Sequence, residues 1–319
     1  MRRLWIAIAP AVLLAAGCGG EGRPSSPSAM MQPPAPTGVG PGTVLSFSEA
    51  ETGHAVTDAT VVVAGRPYSS DGAGHVVLEQ GLAPGSPMDI SAPGMLDRQT
   101  LLRASTTVFT LWPRTSATGL DEEYTRQLVY TWDKNAGPGA SPLYRLSGTQ
   151  AVLVPSAALM SDSRVVAAHQ HAADEINAAV GNAVHYSVAA RAPAGAIAID
   201  TLLDPADSGC KERVLAFTSI RLRGNGEISS AKIVFCNEGS TRDTTVVHEA
   251  GHTFGMGHSP DANEIMHAFK MRGQPEGYGA RESLVMRLML QRRGGNRFPD
   301  DDRNVSATRE REVTIVCGP

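Results

Sequence analysis

The chain has 319 residues and a formal net charge of −4, with 28 Lys and Arg against 32 Asp and Glu. That balance, an isoelectric point near 6.1 and basic runs no longer than a solvated pair or triplet such as Arg292-Arg293 exclude a phosphate-backbone partner, so no nucleic acid is expected. The length allows two modest domains, and 33 Gly with 21 Pro foretell many turns.

At the amino terminus, Met1-Arg2-Arg3 is a short positive region, Leu4 to Ala16 is apolar, and Ala15-Ala16-Gly17-Cys18 is a small-residue site. Residues 1–18 therefore read as a secretory signal, too short to span a bilayer stably. A cysteine directly after such a site, with Leu13-Leu14 before it, resembles the bacterial lipobox. The resemblance implies lipidation of Cys18 and an envelope protein held to the membrane by lipid rather than by a transmembrane helix, with plain secretion as the alternative. Residues 19–42, rich in Pro, Ser and Gly, are expected to form a disordered tether.

Residues 43–114 contain β-prone runs at Val44–Phe47, Thr60–Val63, His75–Leu78, Met88–Ser91 and Val108–Leu111, separated by Gly, Pro and Asp turns. This pattern predicts a small all-β sandwich. The succession Gly42-Thr43-Val44, Glu51-Thr52-Gly53, Asp58 to Val63, Ser70 to His75 and Ile90 to Met95 resembles the transthyretin-like regulatory modules attached to some carboxypeptidases and surface proteins. A spacer role is the expectation, with substrate docking or cell-wall adhesion as alternatives.

In residues 115–319, apolar periodicity predicts a helix over 161–180, strands at 185–190, 196–199 and 231–235, and a helix over 280–292. A short strand at 313–317 has no nameable partner. With Cys18 set aside, Cys210, Cys236 and Cys317 remain, and an oxidising compartment allows one disulfide. Cys210 with Cys236 is the expected pair, three buried thiols being the alternative; three cysteines scattered this widely do not make a zinc site.

The decisive segment is His248-Glu249-Ala250-Gly251-His252-Thr253-Phe254-Gly255-Met256-Gly257-His258. Residues four apart share a helix face, so His248 and His252 can present imidazoles to one ion. Gly255 can adopt the left-handed conformation that ends a helix and returns His258 to the metal. Three neutral imidazoles bind one catalytic Zn²⁺ and leave its fourth position for water, with Glu249 placed as general base. Ser240 and Asp243, spaced like a capping box, predict a ligand helix over 241–254.

These residues resemble the metzincin metallopeptidases, and Met266 in Ser259-Pro260-Asp261-Ala262-Asn263-Glu264-Ile265-Met266 fits the methionine turn of their matrixin branch, a hydrophobic floor beneath the zinc. The resemblance covers roughly residues 120–295. It implies an α+β catalytic domain, with a twisted sheet, an active-site helix and a C-terminal helix, whose edge strand pairs with an extended peptide or protein substrate. His267-Ala268-Phe269 departs from the family's usual Tyr-Pro, so pocket preference does not carry over. No prodomain cysteine motif that caps the metal in latent matrixins is found.

Other candidates read more plainly. His169 and His171, two apart on a helix, are expected at the surface; His185 has no supporting spacing, and His267 is either a cleft residue or a plain loop residue. Asp204, Asp207 and Asp300-Asp301-Asp302 could bind Ca²⁺, but lack the periodicity of a calcium loop and read as solvated acids. Asn304-Val305-Ser306 matches a glycosylation acceptor. The expectation is an exported zinc endopeptidase; the alternative is a non-catalytic surface adhesin on a metzincin-like scaffold.

Overall fold

The alternating runs of residues 43–114 build two facing sheets in the computed structural model, which describes residues 39–132, 137–242, 244–269, 273–303 and 310–317. The strands are β1 (Val44–Glu49), β2 (Thr60–Val63), β3 (Arg66–Ser69), β4 (His75–Val77), β5 (Pro87–Ser91), β6 (Arg98–Leu101) and β7 (Val108–Leu111). One sheet has the order β4-β1-β7 and the other β3-β2-β5-β6. Alternate residues from both sheets, among them Leu45, Phe47, Val61, Met88, Ile90 and Phe109, fill one apolar cluster, as a period of two dictates when one face is buried. β3 was not foreseen: only the aromatic Tyr68 in Arg66–Ser69 marks it as strand-forming.

A separate core supports the rest of the chain. Its elements are α1 (Glu122–Tyr130), β8 (Arg145–Leu146), β9 (Gln150–Pro155), α2 (Ala157–Met160), α3 (Ser163–Val180), β10 (His185–Val188), β11 (Ile197–Leu203), β12 (Ala216–Leu222), β13 (Glu227–Phe235), α4 (Thr245–Phe254), α5 (Ala280–Leu290) and β14 (Arg311–Cys317). The sheet order is β10-β9-β11-β13-β12-β14, with β8 beside β13. β10, β9, β11 and β13 run parallel, β12 is antiparallel to β13, and β14 is antiparallel to β12. The protein is thus mixed α/β with an all-β part, compatible with an α+β class. Residues Thr37–Pro319 form one compact unit.

Local chemistry sets the helix ends. The Asp162 carboxylate accepts from Arg164 N at 2.9 Å, so α3 starts at Ser163, two residues later than its periodicity predicts. α1 opens on Asp121, which accepts from Tyr124 N at 2.7 Å. The ligand helix starts at Thr245 rather than 241, because Gly239–Arg242 form a 3₁₀ turn. Ser240 Oγ donates to the carbonyls of Leu215 and Asn237 instead of capping the helix; Asp243 lies outside the described residues.

Three expectations of exposure are corrected. His169 is fully buried, because its Nδ1 meets the Val165 carbonyl at 2.8 Å and its Nε2 the Thr201 hydroxyl at 2.9 Å. Asp300 and Asp302 are buried beside cations rather than solvated. Arg292 is equally buried: it pairs with Asp300 at 2.6 Å, donates to Thr110 O at 2.9 Å and stacks over Trp112 at 4.8 Å. Since Thr110 belongs to β7, this pair ties the sandwich to the segment following α5. Residues 1–38, including the signal and Cys18, lie outside the described residues, as do most of the tether and Asn304. Among the described residues no helix is long and apolar enough to cross a membrane.

Candidate metal centre

α4 carries His248 and His252 on one face, with Glu249 between them in sequence and wholly buried. The helix ends at Gly255, whose φ of 116° is a left-handed conformation that side chains rarely adopt. A Cβ there would meet the Tyr144 carbonyl oxygen at 2.2 Å. The turn returns His258, as the sequence predicts, so that all three rings face one point. Gly251 is required for a second reason: a Cβ on it would lie 2.4 Å from Met266 Sδ. Met266 is therefore packed directly against the ligand helix.

The fourth donor was not foreseen. Cys317 Sγ lies 3.1 Å from His248 Nε2, 3.3 Å from His252 Nε2 and 3.4 Å from His258 Nε2. The four ligand atoms lie within 4.8 Å of one another, a set that can hold a metal ion. A thiol thus stands among the donors where the sequence reading expected three histidines and water, and the C-terminal strand, whose partner the sequence did not name, pairs with β12, setting Cys317 opposite Ala216. A signal was present, since an unpaired cysteine was left over beside a site with three ligands.

Ring orientation supports a cation at this point. His248 Nδ1 lies 2.6 Å from the Ile265 carbonyl and His252 Nδ1 2.8 Å from the Met256 carbonyl. Each Nδ1 must donate there, which leaves Nε2 unprotonated. The two Nε2 atoms nevertheless face each other at 3.0 Å, an opposition of lone pairs that a shared cation relieves. Burial pushes His248 down to about 4 and His252 well down, so both imidazoles are neutral near pH 7. Burial pushes the Cys317 thiol well up, and the Glu249 charge adds to this.

Glu249 Oε2 accepts from Thr218 Oγ1 of β12 at 2.5 Å, while Oε1 has no hydrogen-bond partner among the described residues. Burial raises this carboxyl to about 7 against the lowering effect of Thr218. Trp132 Nε1 donates to Gly255 O at 2.9 Å and sets its ring edge-on to His252. The turn bearing Met266 is pinned by Glu282, whose two oxygens accept from Met266 N and Gly279 N, each at 2.9 Å. Glu264 holds the same turn through Tyr124 at 2.6 Å and Arg281 at 2.8 Å. Sequence reading missed Thr218, Trp132, Glu264 and Glu282, whose roles arise from contacts between distant segments.

Cys210 and Cys236 are joined as a disulfide, pinning the loop after β11 to the end of β13. His267 lines a pocket beside His248 and Cys317, together with Leu215, Thr245, Ile265 and Ala268. His185 stands exposed at the start of β10, and His171 is exposed on α3, as expected. Asp204 and Asp207 are engaged in turn hydrogen bonds with the backbone N–H groups of Ala206 and Gly209. No family model matches the chain, and no curated protein matches it.

Proposed function

We propose that the protein is a zinc-dependent endopeptidase of the metzincin kind, matrixin-like, acting outside the cytoplasm. The observation that carries this reading is the convergence of three imidazoles and a thiol on one point, with a buried glutamate beside them and Met266 packed against the helix that bears two of the rings. The donor set suits zinc: Zn–N bonds of about 2.0–2.1 Å and a Zn–S bond of about 2.3 Å in a tetrahedron put donors roughly 3.3–3.6 Å apart, close to the separations of 3.0–3.4 Å here. Calcium does not suit it, because nitrogen and sulfur donors are the wrong chemistry for a hard cation.

Zinc in this place supplies a Lewis acid that polarises a scissile carbonyl and acidifies water. The chain's own residues do the rest. His248, His252 and His258 would hold the ion, with Nδ1 hydrogen bonds fixing two of the rings. Glu249 Oε1 would receive the proton of the attacking water, while Thr218 keeps Oε2 in place. β12 would offer main-chain groups to an extended peptide by strand addition once β14, which pairs with it along its length, is displaced, and the pocket at Leu215, Ile265 and His267 would take one side chain. Cys18 and the leader before it support export with a lipid anchor.

A second reading keeps the fold without the chemistry: a surface adhesin in which the sandwich binds and the metal is structural. The completed set of four donors favours it, since structural zinc sites are closed and catalytic ones keep a position free. The full chain, assayed for bound zinc and for hydrolysis of unstructured proteins beside Glu249→Ala and a chelator, separates them. The peptidase reading expects about one zinc per chain and hydrolysis abolished by both controls, with Glu249→Ala still metal-loaded. Zinc retained with no hydrolysis by the wild type or by Cys317→Ala, which removes the fourth donor, leaves the adhesin.

A further inference from the structure

We infer that β14 is an internal occupant of the substrate groove, a substrate-like strand whose Cys317 closes the metal site, so that the protein as folded is latent. The inference rests on the peptidase reading and concerns the regulation of the same centre.

Two independent observations meet in this strand. The first is ligation geometry: Cys317 Sγ stands within 3.4 Å of all three histidine Nε2 atoms. The second is pairing. β14 lies antiparallel along the whole of β12, from Arg311 opposite Leu222 to Cys317 opposite Ala216, and so covers the edge that strand addition needs. Ser219 and Thr314 add a side-chain hydrogen bond at 2.7 Å.

Direction and alternation are those of a bound peptide. The strand runs toward the metal and reaches it at its last described residue, so residues 311–316 lie where the segment before a scissile bond would lie. Ile315 and Cys317 are buried, Val313 is half-buried, and Glu312, Thr314 and Val316 face outward. A groove made to grip alternate residues of an extended peptide makes this pattern. It further assigns a substrate class: an extended segment with a β-branched aliphatic residue two positions before the residue at the metal, in the place Ile315 occupies.

Opening requires both ties to yield. The thiolate must leave the metal, and the strand must lift from β12. A competing extended segment that pairs with β12 can drive both, because ligand and strand share one site.

The test uses the full chain loaded with cobalt, with Cys317→Ala and Ile315→Asp beside the wild type. The probe is the peptide of residues 311–316 carrying a terminal hydroxamate. Expected is a thiolate-to-cobalt charge-transfer absorption in the wild type, absent from Cys317→Ala at equal metal content. The probe is expected to bind both variants at least tenfold more tightly than the wild type, and peptide hydrolysis is expected to rise by a similar factor in the zinc forms. A spectrum unaltered by Cys317→Ala overturns the inference. So does a probe affinity that is equal in all three proteins, or loss of the metal from Cys317→Ala, which would make the thiol a permanent structural ligand. If the variants take metal and probe as expected yet hydrolyse nothing, it is the peptidase reading that fails.

Discussion

The Thr218 hydroxyl of β12 donates to Glu249 Oε2 across 2.5 Å, joining the strand that borders the metal cluster to the helix that carries it. The contact orients the proposed base without touching substrate. Thr218→Val removes the donor at nearly constant volume. In a Cys317→Ala background, where the groove is open, kcat is expected to fall roughly tenfold to a hundredfold, the usual cost of a misplaced catalytic group, while KM stays nearly unchanged. Thr218→Ser restores the donor and is expected to restore most of the rate; equal rates for Val and Ser would remove the positioning role.

Gly255 is where the ligand helix turns back. Alanine there must hold a φ of 116° and place its Cβ 2.2 Å from the Tyr144 carbonyl oxygen. The conformational cost alone is about 1–2 kcal/mol, and a backbone collision cannot be relieved by rotating a side chain. His258 is expected to leave the cluster, so titration of Gly255→Ala with zinc should show affinity reduced by orders of magnitude. Metal binding equal to wild type would contradict this account of the turn.

Glu282 couples stability to pH. Burial lifts its carboxyl from 4.5 to about 7, although the backbone N–H groups of Gly279, Met266 and Ile265 favour the charged form. Because the folded value lies above the unfolded one, the folded state holds the extra proton between these limits. Stability is therefore greatest below about 4.5, declines as pH rises to about 7, and is flat beyond. A gap of about 2.5 pH units at about 1.4 kcal/mol each gives roughly 3 kcal/mol. Glu282→Gln does not titrate, so the stability difference between wild type and this variant, read from denaturant midpoints at pH 5 and pH 8, should narrow at the higher pH. A difference independent of pH would rule the linkage out.

Arg292 and Asp300 form a fully buried pair between the sandwich and the sheet-containing part. Arg292→Ala leaves the Asp300 carboxylate buried without its ion-pair partner, with only the Asn296 bond at 2.9 Å and the nearby charge of Arg98 to compensate it. Loss of one partner of such a pair costs about 3–5 kcal/mol. Arg292→Met together with Asp300→Leu, which removes both charges, should recover much of that loss in the same denaturation measurement. If the single variant is as stable as wild type, the pair does not tie the two parts.

What could be read from the sequence was local. The spacing of His248, Glu249 and His252, and the need for glycine at position 255, are properties of a helix and its end. Five of the seven sandwich strands announce themselves as β-prone runs with Gly, Pro and Asp turns between them, while β3 and β6 do not. β12 escaped because Ala216–Phe217–Thr218–Ser219–Ile220 is buried on both faces and shows no alternation. Thr218 and Ser219 are buried there because Glu249 and Thr314 accept or share their hydrogen bonds, partners that no periodicity reveals. Cys317 lies 59 residues beyond His258 in sequence, and only the pairing of β14 with β12 brings it to the metal cluster. The burial of His169, Arg292 and Asp300 likewise depends on partners supplied by other segments.

The short link between Arg303 and β14 has a quantitative consequence. Arg303 is held to the sandwich through Asp89 at 2.8 Å, and only residues 304–310 separate it in sequence from β14, which begins at Arg311. An occupant attached so closely meets its groove at an effective concentration of the order of millimolar. A free peptide of equal intrinsic affinity must reach comparable concentration to displace it. The protein would then respond weakly to dilute chains and sharply to segments that are crowded or themselves tethered nearby, so that its selectivity would reside as much in where a substrate is held as in which residues it presents.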